Sequence, residues 1–138
     1  MDKDYKEINI TFTILSEDKK LFNKCDIFKN SIENCEIQYI KKGEYKKYNN
    51  GKKSKLPIKN STLYIKKISS DYNNDIINII IIYEQLKDYF MQIEYDAYFS
   101  IDIYYDKEYP LSLEFGKDVL ELLSKNNLSL PISCYKKK

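Results

Sequence analysis

The stretch that decides the fold is "NNDIINIIIIYEQLKDYF", Asn73–Phe90. Its isoleucines are β-branched and favour a strand. Its length and the spacing of Ile76, Ile79/Ile80, Tyr83, Leu86/Lys87 and Phe90 favour a helix, and "YEQLKDYF" shows no strand alternation. Asn74 and Asp75 stand where a helix cap is needed. We therefore read a helix, and with it a cover for the strands on either side.

Those strands are marked by alternation. In "INITFTI", Ile8, Ile10, Phe12 and Ile14 share one face while Asn9, Thr11 and Thr13 share the other, which predicts a half-buried strand. "SEDKKLFNKCDIF" predicts a helix carrying Leu21, Phe22, Cys25 and Phe28, capped by Ser16 or Asp18. "CEIQYI" and "STLYIKKI", Ser61 to Ile68, read as strands on either side of a lysine-rich stretch. Downstream, "DAYFSIDIYYD" turns Ala97, Phe99, Ile101, Ile103 and Tyr105 inward and Asp96, Tyr98, Ser100, Asp102 and Tyr104 outward. "PLSLEF" reads as a further strand, with Ser112 and Glu114 outward. "GKDVLELLSKNN" reads as a third helix ended by Asn126 and Asn127, and "LSLPISCY" as a closing strand with Leu128, Leu130, Ile132 and Cys134 inward. Alternating strands make an antiparallel sheet with one wet face, so the helices belong together on the other. The expected fold is α+β, a two-layer sandwich of a mainly antiparallel sheet and about three helices. It forms one domain over residues 1–138, with 41–60 a basic loop and 136–138 a frayed tail.

Composition limits the function. The chain has 138 residues and a formal charge of +2, and all 23 of its basic side chains are lysine. Lys, Ile, Tyr and Asn dominate, which an AT-rich bacterial or phage genome explains without any polyanionic partner. The acidic start "MDKDYKEINITF" lacks the basic and apolar regions of a signal peptide, and the longest apolar run, Ile79 to Tyr83, is far too short to span a bilayer. A cytoplasmic protein with no membrane contact is expected. Cys25, Cys35 and Cys134 form no C-x-x-C pair and suit reduced thiols. Alternation makes Cys134 a small core residue.

The C-terminal half, "AYFSIDIYY" followed by "LSLEFGKDVLELLSKNNLSLPISCY", resembles the bacterial family known as domain of unknown function 4279, as do the opening "INITFTIL" and the pair Gly43-Glu44. Tyr64 stands where that family's mid-chain strand carries a tryptophan. The resemblance carries no activity with it. Some members look like immunity proteins, small cytoplasmic partners of secreted toxins, and this is what the resemblance implies for function.

Catalytic chemistry has few candidates. There is no histidine, which removes the commonest base and metal ligand. "SEDK", Ser16 to Lys19, matches S-x-x-K without the S-D-N or K-T-G elements that would accompany it, and a helix cap explains it better. Asp96 and Asp102 lie about 20 Å apart along an extended strand, too far for paired carboxylates. Asp102, Asp106 and Glu108 lack calcium-loop spacing, and the three glycines form no phosphate cradle. Cys25 has no base beside it. Neither an enzyme nor a cofactor is expected.

Two surfaces remain. The outward stripe Asp96, Tyr98, Asp102 and Tyr104, with Glu114 and the loop residues Tyr45 and Tyr48, offers the rigid, amphipathic contact area of a protein-docking face. The stretch from Lys41 to Lys59 contains Lys46, Lys47, Lys52 and Lys53 and is the alternative, a nucleic-acid site. Without arginine it has no bidentate reader of phosphate or guanine. The preferred expectation is a non-enzymatic immunity-type protein that neutralises a bacterial toxin by occluding its active site or substrate groove. Nucleic-acid binding through the loop comes second. A phage-borne inhibitor or small-ligand sensor differs only in its partner.

Overall fold

The computed structural model describes residues 7–16, 34–40, 43–45, 47, 51–53, 55–56, 61–90, 94–105 and 113–136, with the backbone alone at 88–90. Five strands form one sheet: β1 (Glu7–Ser16), β2 (Glu36–Ile40), β3 (Ser61–Ser69), β4 (Tyr95–Tyr105) and β5 (Ile132–Lys136). Two helices are among the described residues, α1 (Tyr72–Phe90) and α2 (Lys117–Lys125). The helix expected between Ser16 and Phe28 lies outside them. Strand order is β2-β3-β1-β4-β5. β1 is antiparallel to both its neighbours, so β3 and β4 run parallel with α1 crossing between them over the central strand. The fold class is the one the alternation predicts, except that β5 pairs parallel to β4.

Register gives each face its chemistry. Phe12 stands opposite Ile65 on β3 and Phe99 on β4, and its ring meets Phe99 at 4.7 Å and Tyr83 of α1 at 5.4 Å between centroids. Ile8, Ile10, Phe12 and Ile14 are at most 1% exposed. They pack under Ile76, Ile79, Ile80, Tyr83 and Leu86, the three- and four-spaced residues that mark α1 as a helix. Burial of this β-branched face outweighs the modest cost of isoleucine in a helix.

The termini of the helices depart from expectation in instructive ways. Asp71 caps α1, its Oδ1 accepting from the Asn74 N–H at 3.3 Å, so the helix starts ahead of Asn74 and Asp75. Asp75 instead fastens α1 to β3: it is 8% exposed, accepts from Ser69 Oγ at 2.5 Å and pairs with Lys67 Nζ at 2.8 Å. Ser16 ends β1 and donates to the Glu94 carbonyl at 2.7 Å; the helix it is expected to cap lies outside the described residues. α2 ends as predicted at Asn126 and Asn127. Asn127 takes φ of 54°, and the N–H groups of Asn127 and Leu128 return to the carbonyls of Ser124 and Leu123, a Schellman closure.

The described part of "PLSLEF", Leu113 to Phe115, does not extend the sheet. Leu113 and Phe115 still turn to the core, but the backbone bonds to side chains of the first turn of α1. Tyr72 Oη donates to the Glu114 carbonyl at 2.9 Å and accepts from its N–H at 3.0 Å, while Asn73 Oδ1 accepts from Gly116. β5 also differs from expectation. It is exposed along its whole length, Ile132 at 43%, because it is an edge strand whose helix-side face the described helices leave uncovered. Cys134 is therefore a surface thiol and not a core residue. Lys136, expected in a frayed tail, pairs with Tyr105 as the last residue of β5.

Candidate functional site

The face of the sheet away from the helices is not uniformly wet. Toward the C-terminal end of β1 it is closed: Thr13, Thr62 and Ile40 are 2%, 5% and 5% exposed. Toward the N-terminal end it opens into a trough of about 650 Å³. Asn9 and Thr11 lie along its centre, Glu36, Lys66 and Ile68 along the β2–β3 side, and Asp102 and Tyr104 along the β4 side. Glu36 stands opposite Lys66 in register, and Asn9 lies between Ile68 and Asp102.

Strand pairing assembles the β4 wall. Tyr104 is opposite Glu7 on β1 and Tyr135 on β5, and the two tyrosine rings stack at 5.3 Å with planes 22° apart. Burial pushes the Tyr104 phenol above its ordinary value, and the charges of Asp102, Tyr135 and Glu7 push it the same way. The phenol thus stays neutral and keeps its donor. Glu7 is held by the Asn9 amide, whose Nδ2 donates to it at 3.0 Å; Asn9 Oδ1 is buried with no hydrogen-bond partner among the described residues. The trough is rimmed by exposed apolar surface: Ile68 is 69% and Tyr135 48% exposed.

No family model, curated protein or solved structure matches the chain. The resemblance drawn from the sequence therefore rests on its apolar patterns, and the site is read from its geometry.

The structure brings Asp102 and Tyr104 together and separates Asp96, Tyr98 and Glu114 from them. Tyr98 is half-buried beside Thr13, on the closed part of the same face. Asp96 is at the opposite end of β4, opposite Leu15, where it lines a second cavity with Tyr83, Lys87 and Asn126. Glu114 is off the sheet altogether, because its segment is bound to α1. Tyr45 is 51% exposed in the basic loop, while Tyr48 and Lys46 lie outside the described residues. Lys47 and Lys53 form an antiparallel bridge, with Gly51 at φ of 83° between them, so the loop turns back on itself and exposes Lys47, Lys52 and Lys53. Asn50-Gly51 in the sequence is the hairpin signal for that turn.

Glu7, Glu36, Lys66 and Ile68 were not among the expected site residues. Ile68 had a legible signal: Leu63 and Ile65 face inward, so period two puts Ile68 outward with Tyr64 and Lys66. Glu7 and Glu36 needed the register, which no local pattern specifies.

Other reactive candidates find ordinary settings. Burial raises the Cys35 thiol above its usual value against the lowering pull of Lys67, which keeps it protonated. Among the described residues no three acidic or thiol side chains gather into a metal site, and Asp106 and Glu108 lie outside them. No described helix is long and apolar enough to cross a membrane.

Proposed function

We propose that the protein is a non-enzymatic, cytoplasmic binding protein of the immunity type. It neutralises a cognate bacterial toxin by laying the open end of its sheet over the toxin's active site or substrate groove. The observation that carries this reading is the placement of Asp102 and Tyr104 on one trough whose far rim is the exposed Ile68, with Glu7 and the stacked Tyr135 beside Tyr104. A stacked tyrosine pair presents large, pre-ordered contact area at little entropic cost, and carboxylates beside it complement a basic groove such as a nuclease uses for phosphates. The resemblance to domain of unknown function 4279 supports the immunity part of the reading.

The test is a search for a toxin gene beside its own, followed by calorimetric titration of the purified protein with that gene's product. The account expects a tight one-to-one complex and loss of toxin activity in it. A toxin that neither binds nor loses activity contradicts the reading.

A second reading is nucleic-acid binding through the loop, favoured by the bridge that presents Lys47, Lys52 and Lys53 together. It requires affinity that falls steeply with salt and disappears when these lysines become glutamine. Absence of binding to single-stranded or duplex nucleic acid at low salt excludes it.

A further inference from the structure

The outer edge of β5 is an open row of main-chain groups. The Ser129 and Pro131 carbonyls accept from the N–H groups of Phe99 and Ile101 at 3.0 and 2.9 Å, so the odd-numbered residues of this segment turn their main chain toward β4. A strand directs the main chain of successive residues to opposite sides. Ile132, Cys134 and Lys136 therefore present their N–H and C=O groups outward, at one end of the sheet order, and these groups meet no partner among the described residues.

The sheet's other edge is unlike this one. β2 keeps Ile37, Gln38 and Tyr39 half-buried and Ile40 buried, whereas all five residues of β5 are exposed. An edge strand templates the addition of another strand unless charge, proline or a bulge interrupts it. No proline lies within β5, and its one charged side chain, Lys136, stands at its last position.

The strand that fits this edge is β5 itself, because the outward groups are symmetric about Cys134. A second β5 laid antiparallel around a two-fold axis at Cys134 sets Cys134 opposite its counterpart and Ile132 opposite Lys136 of the other copy. Each of these is a hydrogen-bonded pair that exchanges two N–H···O bonds, so every outward group of the strand is satisfied. Moving the axis to Ser133 or Tyr135 sets Lys136 or Ile132 opposite a residue beyond the strand. The side chains agree with the same axis. Ile132 and Cys134 share the helix side of the sheet with Ile101 and Ile103, their partners in register, while Ser133 and Tyr135 share the trough side with Asp102 and Tyr104. Around the axis the 43% exposed Ile132 lies along the aliphatic stem of the other copy's Lys136, Ser133 lies across from Tyr135, and no like charges face each other.

We propose that the chain forms a two-fold dimer by antiparallel pairing of β5 with the β5 of a second copy. The two five-stranded sheets become one, and both troughs open on the same face of it. A strand of five residues gives an interface below the roughly 1,200 Å² of stable complexes, so the dimer is reversible and forms at micromolar concentration or above. The pairing does not depend on the toxin-docking reading.

The test is sedimentation equilibrium of the full chain between low micromolar and millimolar concentration. The expected result is a reversible monomer–dimer equilibrium. Cys134→Pro removes the central outward N–H and no bond of the β4–β5 ladder, and it weakens the dimer at least about tenfold. Ile132→Lys places lysine opposite Lys136 of the other copy and weakens the dimer by a similar factor; this variant decides the matter if circular dichroism shows that Cys134→Pro has lost structure. In a chain carrying Cys25→Ser and Cys35→Ser, a short bis-maleimide joins two molecules through Cys134. A chain that stays monomeric up to millimolar concentration overturns the proposal. So does a dimer that neither folded variant weakens, a dimer in which Cys134 does not cross-link, or growth into open chains, which indicates head-to-tail pairing of β5 with β2.

Discussion

The two faces of β1 are carried by alternate residues of one strand and answer to different rules. Ile8, Ile10, Phe12 and Ile14 point under α1 and are at most 1% exposed, so their volumes are dictated by the helix above them. Asn9 and Thr11 line an open trough and are only half-buried. The difference teaches where function can be looked for. On the covered face a residue is chosen by the fold; on the open face an unusual residue needs some other reason. Ile68 is such a case, a large apolar side chain left 69% exposed.

The contrast can be broken by substitution, beginning where the effect is greatest. Phe12→Ala removes the ring that joins Phe99 to Tyr83 and lowers unfolding free energy by about 3–5 kcal/mol in a urea titration. A loss as small as that of a surface residue would mean the core is not centred on β1. Asp75→Ala comes next. It strands Lys67 on the helix side of β3 and costs about 2–3 kcal/mol, and Lys67→Met in the same chain recovers part of the loss, as a coupled pair requires. Additive losses would show that the two side chains do not act together.

The covered face also has a pH signature. Burial, then the hydroxyl bond to Tyr95 and its charge, hold the Tyr83 phenol far above the ordinary tyrosine range. An unfolded tyrosine ionises near about pH 10, so the unfolded chain releases its proton first as pH rises. Stability is therefore undiminished below about pH 10 and declines above it, and Tyr83→Phe flattens that decline in urea titrations across the alkaline range. An unchanged slope in the variant would assign the effect to another tyrosine. The smallest stability effect belongs to the open face: Ile68→Thr changes unfolding free energy by no more than about 0.5 kcal/mol while weakening the proposed toxin complex. A large loss of stability there would show that the open face is part of the core.

Much of this architecture is legible in the sequence. The spacing from Ile76 to Phe90 specified α1, and alternation specified β1, β3 and β4, because both signals come from burial against a single partner layer. What misled was the assumption that alternation always means a sheet. Leu113 and Phe115 alternate with Glu114, yet side chains of Tyr72 and Asn73 take the place of a neighbouring strand. β5 shows the reverse limit: Ile132 and Cys134 alternate correctly, but an edge strand has no cover to bury them. The candidate site was half legible. Asp102 and Tyr104 follow from the period of one strand, whereas Glu7, Glu36 and Tyr135 come beside them only through strand order and register, and these depend on contacts far apart in the chain.

The central claim is that the open end of the sheet, and not the lysine loop, engages the partner. The most direct measurement is the affinity of two variants for the proposed toxin partner, determined by calorimetry at one ionic strength. The account predicts that Asp102→Ala with Tyr104→Ala weakens the complex at least about a hundredfold, and that Lys47→Gln, Lys52→Gln and Lys53→Gln together leave it within about twofold. A complex that survives the first pair and is lost with the lysines contradicts it.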